Sequence, residues 1–190
     1  MRDYIKNYIV ESISAKEDIL KSDKILDLVE QASSIIIDAY RNGKKVLVAG
    51  NGGSAADAQH IAAELVSKFL KDRPALNAIA LTTNTSILTA VGNDYSHEYV
   101  FARQIQAYGQ KGDVYLAIST SGNSKNIIKS IEEAKKLGLK IIGLTGKNVS
   151  IMDELCDCLI KIPSEKTPII QESHIMIGHI ISALVESNLF

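Results

Sequence analysis

The sequence predicts an α/β fold, a three-layer α/β/α sandwich in which helices cover both faces of a five-stranded parallel sheet. Five short apolar runs, each too short to form a helix, alternate with stretches that have helical spacing. Strands that are separated by helices pair in parallel, and a parallel sheet is covered on both faces. The length of 190 residues and the hydrophobic content of 46% suit one domain with a full core.

Two helices are predicted ahead of the first strand. In residues 1–22, isoleucines recur at four-residue spacing, as in an amphipathic helix: Ile5, Ile9 and Ile13. Because no strand precedes this helix, its apolar face has no sheet of its own to cover, and we expect N-terminal helices at an interface between subunits. Ser22 is a suitable cap for the second helix, and Asn42 with Gly43 is a suitable end.

The predicted strands begin after residue 43. We therefore expect residues 1–190 to form a single domain, with N-terminal helices in 1–43 and an α/β core in 44–190. The five apolar runs are Val46–Ala49, Asn77–Leu81, Val114–Ser119, Lys140–Leu144 and Cys158–Ile162. Ligands of parallel α/β sheets bind beyond the carboxyl ends of the strands, so we expect the site in the loops that follow these runs.

Charge, hydropathy and cysteine content restrict the environment of the protein. The 21 basic and 22 acidic residues give a net charge of −1, which favours neither nucleic acid nor a membrane surface as a partner. No apolar run approaches the ~20 residues of a spanning helix, so we expect a soluble, cytoplasmic protein. Cys156 and Cys158 are expected to be reduced core residues. On a strand, their spacing would place both on one face, where a disulfide between them would be strained.

The loop after the first run is rich in glycine. Gly50, Gly52 and Gly53 can take positive φ and turn backbone N–H groups toward an anion, and Ser54 can cap the next helix or donate its hydroxyl. An ordinary strand-to-helix turn needs fewer glycines, so anion binding is favoured. The Lys that a nucleotide P-loop requires after its last glycine is absent, and the second run lacks the acidic residue with which a dinucleotide fold binds ribose.

A second loop of this kind follows the third run. Four hydroxyl side chains within six residues precede a stretch of helical spacing: Ser119, Thr120, Ser121 and Ser124. Hydroxyl groups beside the N–H donors of a helix N-terminus suit a phosphate dianion, although ordinary polar turns have similar residues. The position after a strand favours the phosphate, and the glycine loop would then hold the sugar.

Residues for acid–base chemistry occur on two predicted helices. His60 and Glu64 are four apart after the glycine loop, a spacing that also occurs in simple surface pairs. The last predicted helix carries Gln171, His174 and His179 in an apolar setting, and the sequence does not choose between these two histidines. A carboxylate, an imidazole and a phosphate-binding loop suit proton transfer next to the carbonyl of a sugar phosphate. Histidine and glutamate together also suit zinc.

These motifs together resemble the phosphoheptose isomerases of the sugar isomerase (SIS) domain family. The resemblance covers nearly the whole chain and rests on four segments: Gly50–His60 with Glu64, Gly92–Asp94, Ser119–Ser124, and Gln171 with His174 and His179. It implies a flavodoxin-like α/β sandwich that assembles as a homotetramer with sites at subunit junctions. It also implies conversion of sedoheptulose 7-phosphate to D-glycero-D-manno-heptose 7-phosphate through an enediol. That reaction is the first step toward ADP- or GDP-heptose for lipopolysaccharide or capsule.

The same resemblance implies a role for each motif residue. Glu64 would be the base and His179 its partner acid/base. Residues of both loops, of the Asn-Asp pair and of the last helix would bind the substrate: Asn51, Gly52, Gly53, Ser54, Glu64, Asn93, Asp94, Ser119, Thr120, Ser121, Ser124 and Gln171. One zinc ion per subunit would be held by His60, Glu64, Gln171 and His179.

Two functions without catalysis remain open from the sequence. Some SIS relatives with the same glycine motif and tetramer bind the bacterial replication initiator, and a sugar-phosphate sensor would need only the two loops. Glu64 and His179 favour the isomerase, because a protein-binding module needs no base and acid in its cleft.

Overall fold

The computed structural model describes residues 1–190, which form eight α-helices and five strands. The helices are α1 (Arg2–Leu20), α2 (Asp23–Arg41), α3 (Gly53–Val66), α4 (Thr85–Asp94), α5 (Ala102–Tyr108), α6 (Lys125–Leu137), α7 (Met152–Leu155) and α8 (Thr167–Leu189). The strands are β1 (Val46–Gly50), β2 (Ala78–Ala80), β3 (Val114–Ile118), β4 (Lys140–Gly146) and β5 (Cys158–Ile162). Each predicted strand is therefore present.

The five strands form one parallel sheet in the order β2-β1-β3-β4-β5. In the central pair, the register runs from Val46 opposite Val114 to Gly50 opposite Ile118. The chain passes from β1 to β2 on one side and then crosses to β3 on the other, so the loops after β1 and β3 leave the sheet side by side. Parallel α/β sheets bind ligands at such a switch point. The predicted fold class is confirmed.

Helices cover both faces of the sheet and enclose two separate hydrophobic cores. Val46 and Val48 of β1 face the first core, which is closed by α2, α3 and α8. Leu47 and Ala49 face the second core, which is closed by α5 and α6. Alternate residues of a strand point to opposite faces, so a strand buried on both sides is apolar throughout, as β1 is.

The two N-terminal helices have different environments. Ser22 caps α2 as predicted, accepting a hydrogen bond from the backbone N–H of Ile25 at 3.4 Å, and α2 then packs on α8 and β5 in the first core. α1 contributes Ile19 to this core but leaves a row of large apolar side chains exposed: Tyr4, Ile5, Ile9, Val10 and Ile13. The interface between subunits that this row suggests stays a prediction.

The last helix is more apolar than the sequence analysis expected. α8 is long and apolar enough to cross a membrane by length and composition alone. Half of that segment is buried inside the protein, where Ile177, Ile181 and Val185 belong to the first core. The apolar composition of α8 is therefore explained by its place in the first core of the α/β fold.

Two local predictions were wrong. The N-cap of α3 is Gly52, and Ser54 lies inside the helix and is buried, because the turn at Gly52 starts the helix before Ser54 is reached. Cys156 and Cys158 do not share a face, because β5 begins only at Cys158; Cys158 belongs to the first core and Cys156 packs against the second. Both thiols are free, and burial raises the pKa of Cys156 to about 12 and that of Cys158 to about 11.

Candidate active site

The glycine loop after β1 turns the chain tightly into α3. Gly52 has a φ of 56°, which glycine adopts without strain. A side chain at Gly50 would place its Cβ 2.5 Å from the Ser54 carbonyl oxygen, so the turn also requires glycine there. Asn51, Gly52 and Gly53 are exposed at the N-terminus of α3, where free N–H groups and the helix dipole favour an anion or a sugar oxygen.

The hydroxyl loop after β3 lies beside the glycine loop. The Oγ atoms of Ser119 and Ser124 are 3.0 Å apart, and the chain turns between them at Gly122, which has a φ of 66°. Two cavities of about 400 and 270 Å³ meet here, and Thr120 lines both. The larger is bordered by the hydroxyl loop, and the smaller by residues of both loops and of α8: Asn51, Gly53, Ser54 and Gln171. The two loops therefore border adjoining spaces.

α3 and α8 pack closely along one seam, which brings the acid–base residues together. A Cβ at Gly178 would lie 2.7 Å from Ile61 Cδ1, so the absence of a side chain allows this approach. At the exposed end of the seam, His60 Nε2 lies 2.9 Å from His179 Nε2 and 3.1 Å from Glu64 Oε1. One ligand atom of each of these three residues lies within 4.8 Å of the other two. The structure thus places the predicted base beside its predicted partner.

The donor set of this cluster fits a zinc ion. Only one proton can lie between two Nε2 atoms that are 2.9 Å apart, so at least one of His60 and His179 presents a lone pair. Two imidazole nitrogens and the Glu64 carboxylate are ligands that zinc prefers.

The fourth predicted zinc ligand, Gln171, lies nearer the N-terminal ends of α3 and α8. Gln171 Nε2 donates a hydrogen bond to Asp57 Oδ1 at 2.8 Å, and its amide packs over Gly53. Asp57 is 5% exposed, and its second oxygen has no partner. Burial raises the pKa of Asp57, while the Gln171 hydrogen bond and the His60 charge act in the opposite direction. The sequence analysis missed Asp57, although it precedes His60 by three residues on one helical face.

The structure distinguishes the two histidines that the sequence left open. His174 is fully buried, and its Nε2 lies 3.2 Å from the backbone oxygen of Thr145. Burial lowers the pKa of His174 to about 4, so at neutral pH it is an uncharged core residue. His179, five residues later, is the one beside His60.

Asn93 and Asp94 are not brought to the cluster within one chain. They lie at the exposed end of α4, where Asn93 Nδ2 donates to Asp94 Oδ1 at 2.9 Å. Apart from this mutual contact, neither side chain makes a hydrogen bond to a predicted site residue. The assignment of this pair to the substrate site stays a prediction.

The buried side-chain amide of Asn126, in the first turn of α6, supports the glycine loop. Asn51 and Asn126 exchange two hydrogen bonds, each 2.8 Å long, and Asn126 Nδ2 also lies 3.3 Å from His97 Nε2. Asn126 is 4% exposed and orients the Asn51 side chain at the cavity. The sequence analysis missed Asn126 and His97, because an asparagine in the first turn of a helix is otherwise an ordinary residue.

Comparison with known proteins identifies the family. Residues 7–146 match the SIS domain family. Curated proteins named phosphoheptose isomerase from Aneurinibacillus thermoaerophilus and phosphoheptose isomerase 2 from Campylobacter jejuni are each 58% identical over 190 residues. The match spans all of this chain and 96% and 94% of those two proteins. The chain belongs to the phosphoheptose isomerase family of SIS domain proteins.

Solved structures of phosphoheptose isomerases agree with this family assignment. The Neisseria gonorrhoeae structure has a TM-score of 0.92 and 39% identity, with 98% of each chain covered. The Francisella tularensis structure has a TM-score of 0.94 and 37% identity, with 97% of each chain covered. The resemblance to phosphoheptose isomerases and the enzyme class, an aldose–ketose isomerase, are confirmed.

Proposed function

We propose that this protein converts sedoheptulose 7-phosphate to D-glycero-D-manno-heptose 7-phosphate. The observation that carries the proposal is the cluster of His60, Glu64 and His179 at the seam between α3 and α8. An aldose–ketose isomerase moves one proton between two adjacent carbons, which requires a base beside those carbons and an acid for their oxygens. The high identity to proteins named phosphoheptose isomerase supports the seven-carbon substrate.

In the proposed reaction, Glu64 removes a proton from C1 of the ketose. The electron pair of that C–H bond forms the C1–C2 double bond, and His179 gives a proton to the C2 oxygen, so that an enediol results. His179 then takes the proton of the C1 hydroxyl as the aldehyde forms, and Glu64 returns its proton to C2. Atoms and electrons are conserved, and both side chains end in their starting states.

The hydroxyl loop is the proposed phosphate site. Ser119, Thr120, Ser121 and Ser124 would hold the phosphate beside the N-terminus of α6, where backbone N–H groups and the helix dipole favour a dianion. Binding of this distant, unreactive group holds the sugar in place for the proton transfer. The remaining substrate oxygens would be bound by Asn51, Gly52, Gly53, Ser54, Asn93, Asp94 and Gln171.

We also propose one zinc ion per subunit, held by His60, Glu64, His179 and Gln171. Asp57 holds the amide nitrogen of Gln171, so the amide oxygen is the atom left to act as a ligand. When bound, zinc would polarise the substrate carbonyl and orient its oxygens. A nitrogen of His179 that binds zinc carries no proton, so this polarisation would replace the proton that His179 gives in the zinc-free site.

The proposal extends to assembly and cellular role. We propose a cytoplasmic homotetramer that supplies heptose for lipopolysaccharide or capsule. The exposed apolar row on α1 supports subunit contacts, because an exposed row of this kind is typical of an interaction site. Asn93 and Asp94 make no hydrogen bond to the other site residues of their own chain. In the proposed tetramer, they would contribute to an active site at a junction between subunits.

A conversion assay tests the proposed function. Purified protein is incubated with sedoheptulose 7-phosphate, with and without added zinc, and ketose and aldose phosphates are separated by anion-exchange chromatography. We expect the aldose to appear. Capture of the replication initiator without any conversion would instead favour the protein-binding alternative, and thermal stabilisation by the ketose phosphate without conversion would favour a sensor.

A further inference from the structure

A buried carboxylate anchors the loop between α3 and β2. Glu186 of α8 is 1% exposed, and its oxygens accept hydrogen bonds from three successive backbone N–H groups. The donors are Phe69 at 2.9 Å, Leu70 at 2.7 Å and Lys71 at 2.5 Å. Arg73 Nε adds a fourth hydrogen bond at 3.0 Å. Burial by itself would raise the pKa of Glu186, but these donors outweigh it and hold the pKa at about 2.

Arg73 connects this anchor to the helix that carries the predicted base. Its side chain is 1% exposed, its Nη2 donates to the backbone oxygen of Glu64 at 2.9 Å, and its Nη1 donates to that of Leu65 at 2.8 Å. The last carbonyls of a helix lack partners within the helix, so Arg73 satisfies them and fixes the end of α3. The backbone of Glu64 is thereby tied to Glu186.

Phe69 connects the same loop to the predicted acid. Its ring centre lies 5.7 Å from that of His179, with the ring planes inclined at 30°. His179 and Glu186 are seven residues apart on α8, almost two full turns, so both lie on the face that meets the loop. The loop therefore contacts His179 through a side chain and Glu64 through a backbone hydrogen bond.

We propose that Glu186 and Arg73 are positioning residues, and that Phe69 is the contact through which they hold the His179 ring. This inference rests on the proposed isomerase function. Burial of an ion pair offers little net stability by itself, because desolvation offsets the attraction. Some contacts of this pair instead extend to the two groups that exchange protons with the substrate. Arg73 reaches Glu64 through its backbone oxygen, and the loop held by Glu186 reaches His179 through Phe69. Correct orientation of such groups is a large part of catalysis.

The first test separates the ring of Phe69 from the anchoring of its loop. Phe69→Leu keeps the backbone hydrogen bond to Glu186 but removes the ring from His179. We expect kcat to fall about 10-fold with little change in KM. Phe69→Tyr keeps the ring and should restore kcat. Leu70→Ala, at the neighbouring side chain that is 78% exposed, is the matched control and should behave as wild type.

A second readout needs no turnover. The chain has four histidines, so their ring resonances can be resolved in protein with ¹³C-labelled histidine and assigned through His179→Gln. An aromatic ring shifts the resonances of nuclei held against its face. We expect Phe69→Leu to move the His179 signals, while His97 and His174 keep theirs. Glu186→Gln should move the same His179 signals by releasing the loop.

Unchanged His179 resonances and unchanged kcat in Phe69→Leu would overturn the inference, whether or not Glu186→Gln folds. A large loss of thermal stability in Phe69→Leu, with normal kcat for the folded fraction, would also overturn it, because the ring would then be only structural. A wild-type protein that converts no substrate would refute the proposed function. The His179 resonances in Glu186→Gln, which keeps the Phe69 ring, would still decide whether the anchor of the loop positions Phe69 against His179.

Discussion

Gln171 Nε2 lies 2.8 Å from Asp57 Oδ1, across the seam between α8 and α3. A carboxylate only accepts hydrogen bonds, so this contact fixes the amide nitrogen toward Asp57 and leaves the amide oxygen free on the other side. Asp57 is buried, and its second oxygen has no hydrogen-bond partner. Its evident role is to set the direction of the Gln171 amide.

Replacing this carboxylate should therefore weaken zinc binding. In Asp57→Asn, the new amide can either donate or accept, so Gln171 is free to turn over. We expect a 10- to 100-fold lower zinc affinity, on the order of losses from removing such supporting contacts, measured by titration calorimetry. Asp27→Asn changes an exposed aspartate on α2 and should bind zinc normally. Equal zinc affinity in Asp57→Asn and wild type would show that the amide direction does not matter.

Glu64→Gln should abolish measurable turnover while leaving the fold intact. The side chain keeps its size but loses its negative charge and with it the ability to take a proton, so we expect kcat to fall by ~10² to 10⁴. Circular dichroism and thermal unfolding check the fold, and Glu30→Gln, at an exposed glutamate of α2, is the control. Near-normal turnover in folded Glu64→Gln would remove this residue as the base.

The two histidines of α8 should respond differently to substitution. His179→Gln removes a group of the cluster and should lower kcat by at least ~10²-fold. His174→Gln alters a buried contact to Thr145, so it should lower the melting temperature but keep kcat per folded molecule. Equal losses of kcat in both variants, after correction for folded protein, would contradict the assignment.

His174 should also make the protein sensitive to mild acid. Its pKa is about 4 when folded and ~6.5 in an unfolded chain. Between these values the unfolded chain binds a proton that the folded protein does not. Stability is therefore complete above pH ~6.5 and falls as the pH drops toward 4, by at most ~3 kcal/mol.

Urea unfolding at pH 7 and pH 5 measures this dependence. His174→Gln should lose less stability than wild type over this interval, whereas His97→Gln, at an exposed histidine, should follow wild type. If His174→Gln and wild type lose the same free energy of unfolding, His174 is not the group that titrates.

The fold was predictable from the sequence because its strands are buried on both faces. A run such as Val46–Ala49 is then apolar throughout and too short for a helix, which is an unambiguous local pattern. The boundaries near Ser54 and Cys156 were less predictable. Near Ser54, several glycines in one loop can take the turn that starts the helix. Near Cys156, the boundary depends on where the short helix α7 ends, which sequence spacing alone does not define.

The site was predictable where its residues share a helix and not where they meet across the fold. His60 and Glu64 are neighbours through helical spacing alone. The support of Gln171 by Asp57, separated by 114 residues, depends on the packing of α3 on α8. The choice between His174 and His179 likewise needs the direction of each side chain around α8, because both lie in the same apolar segment.

Proton NMR of sedoheptulose 7-phosphate with the purified protein in D₂O, with and without zinc, tests the central claim most directly. The account predicts an anomeric signal of the aldose product with wild-type protein and none with Glu64→Gln. Deuterium at C2 of the product would show how freely the base exchanges with solvent during the enediol step. A folded wild-type protein that produces no aldose signal, with or without zinc, would contradict the account.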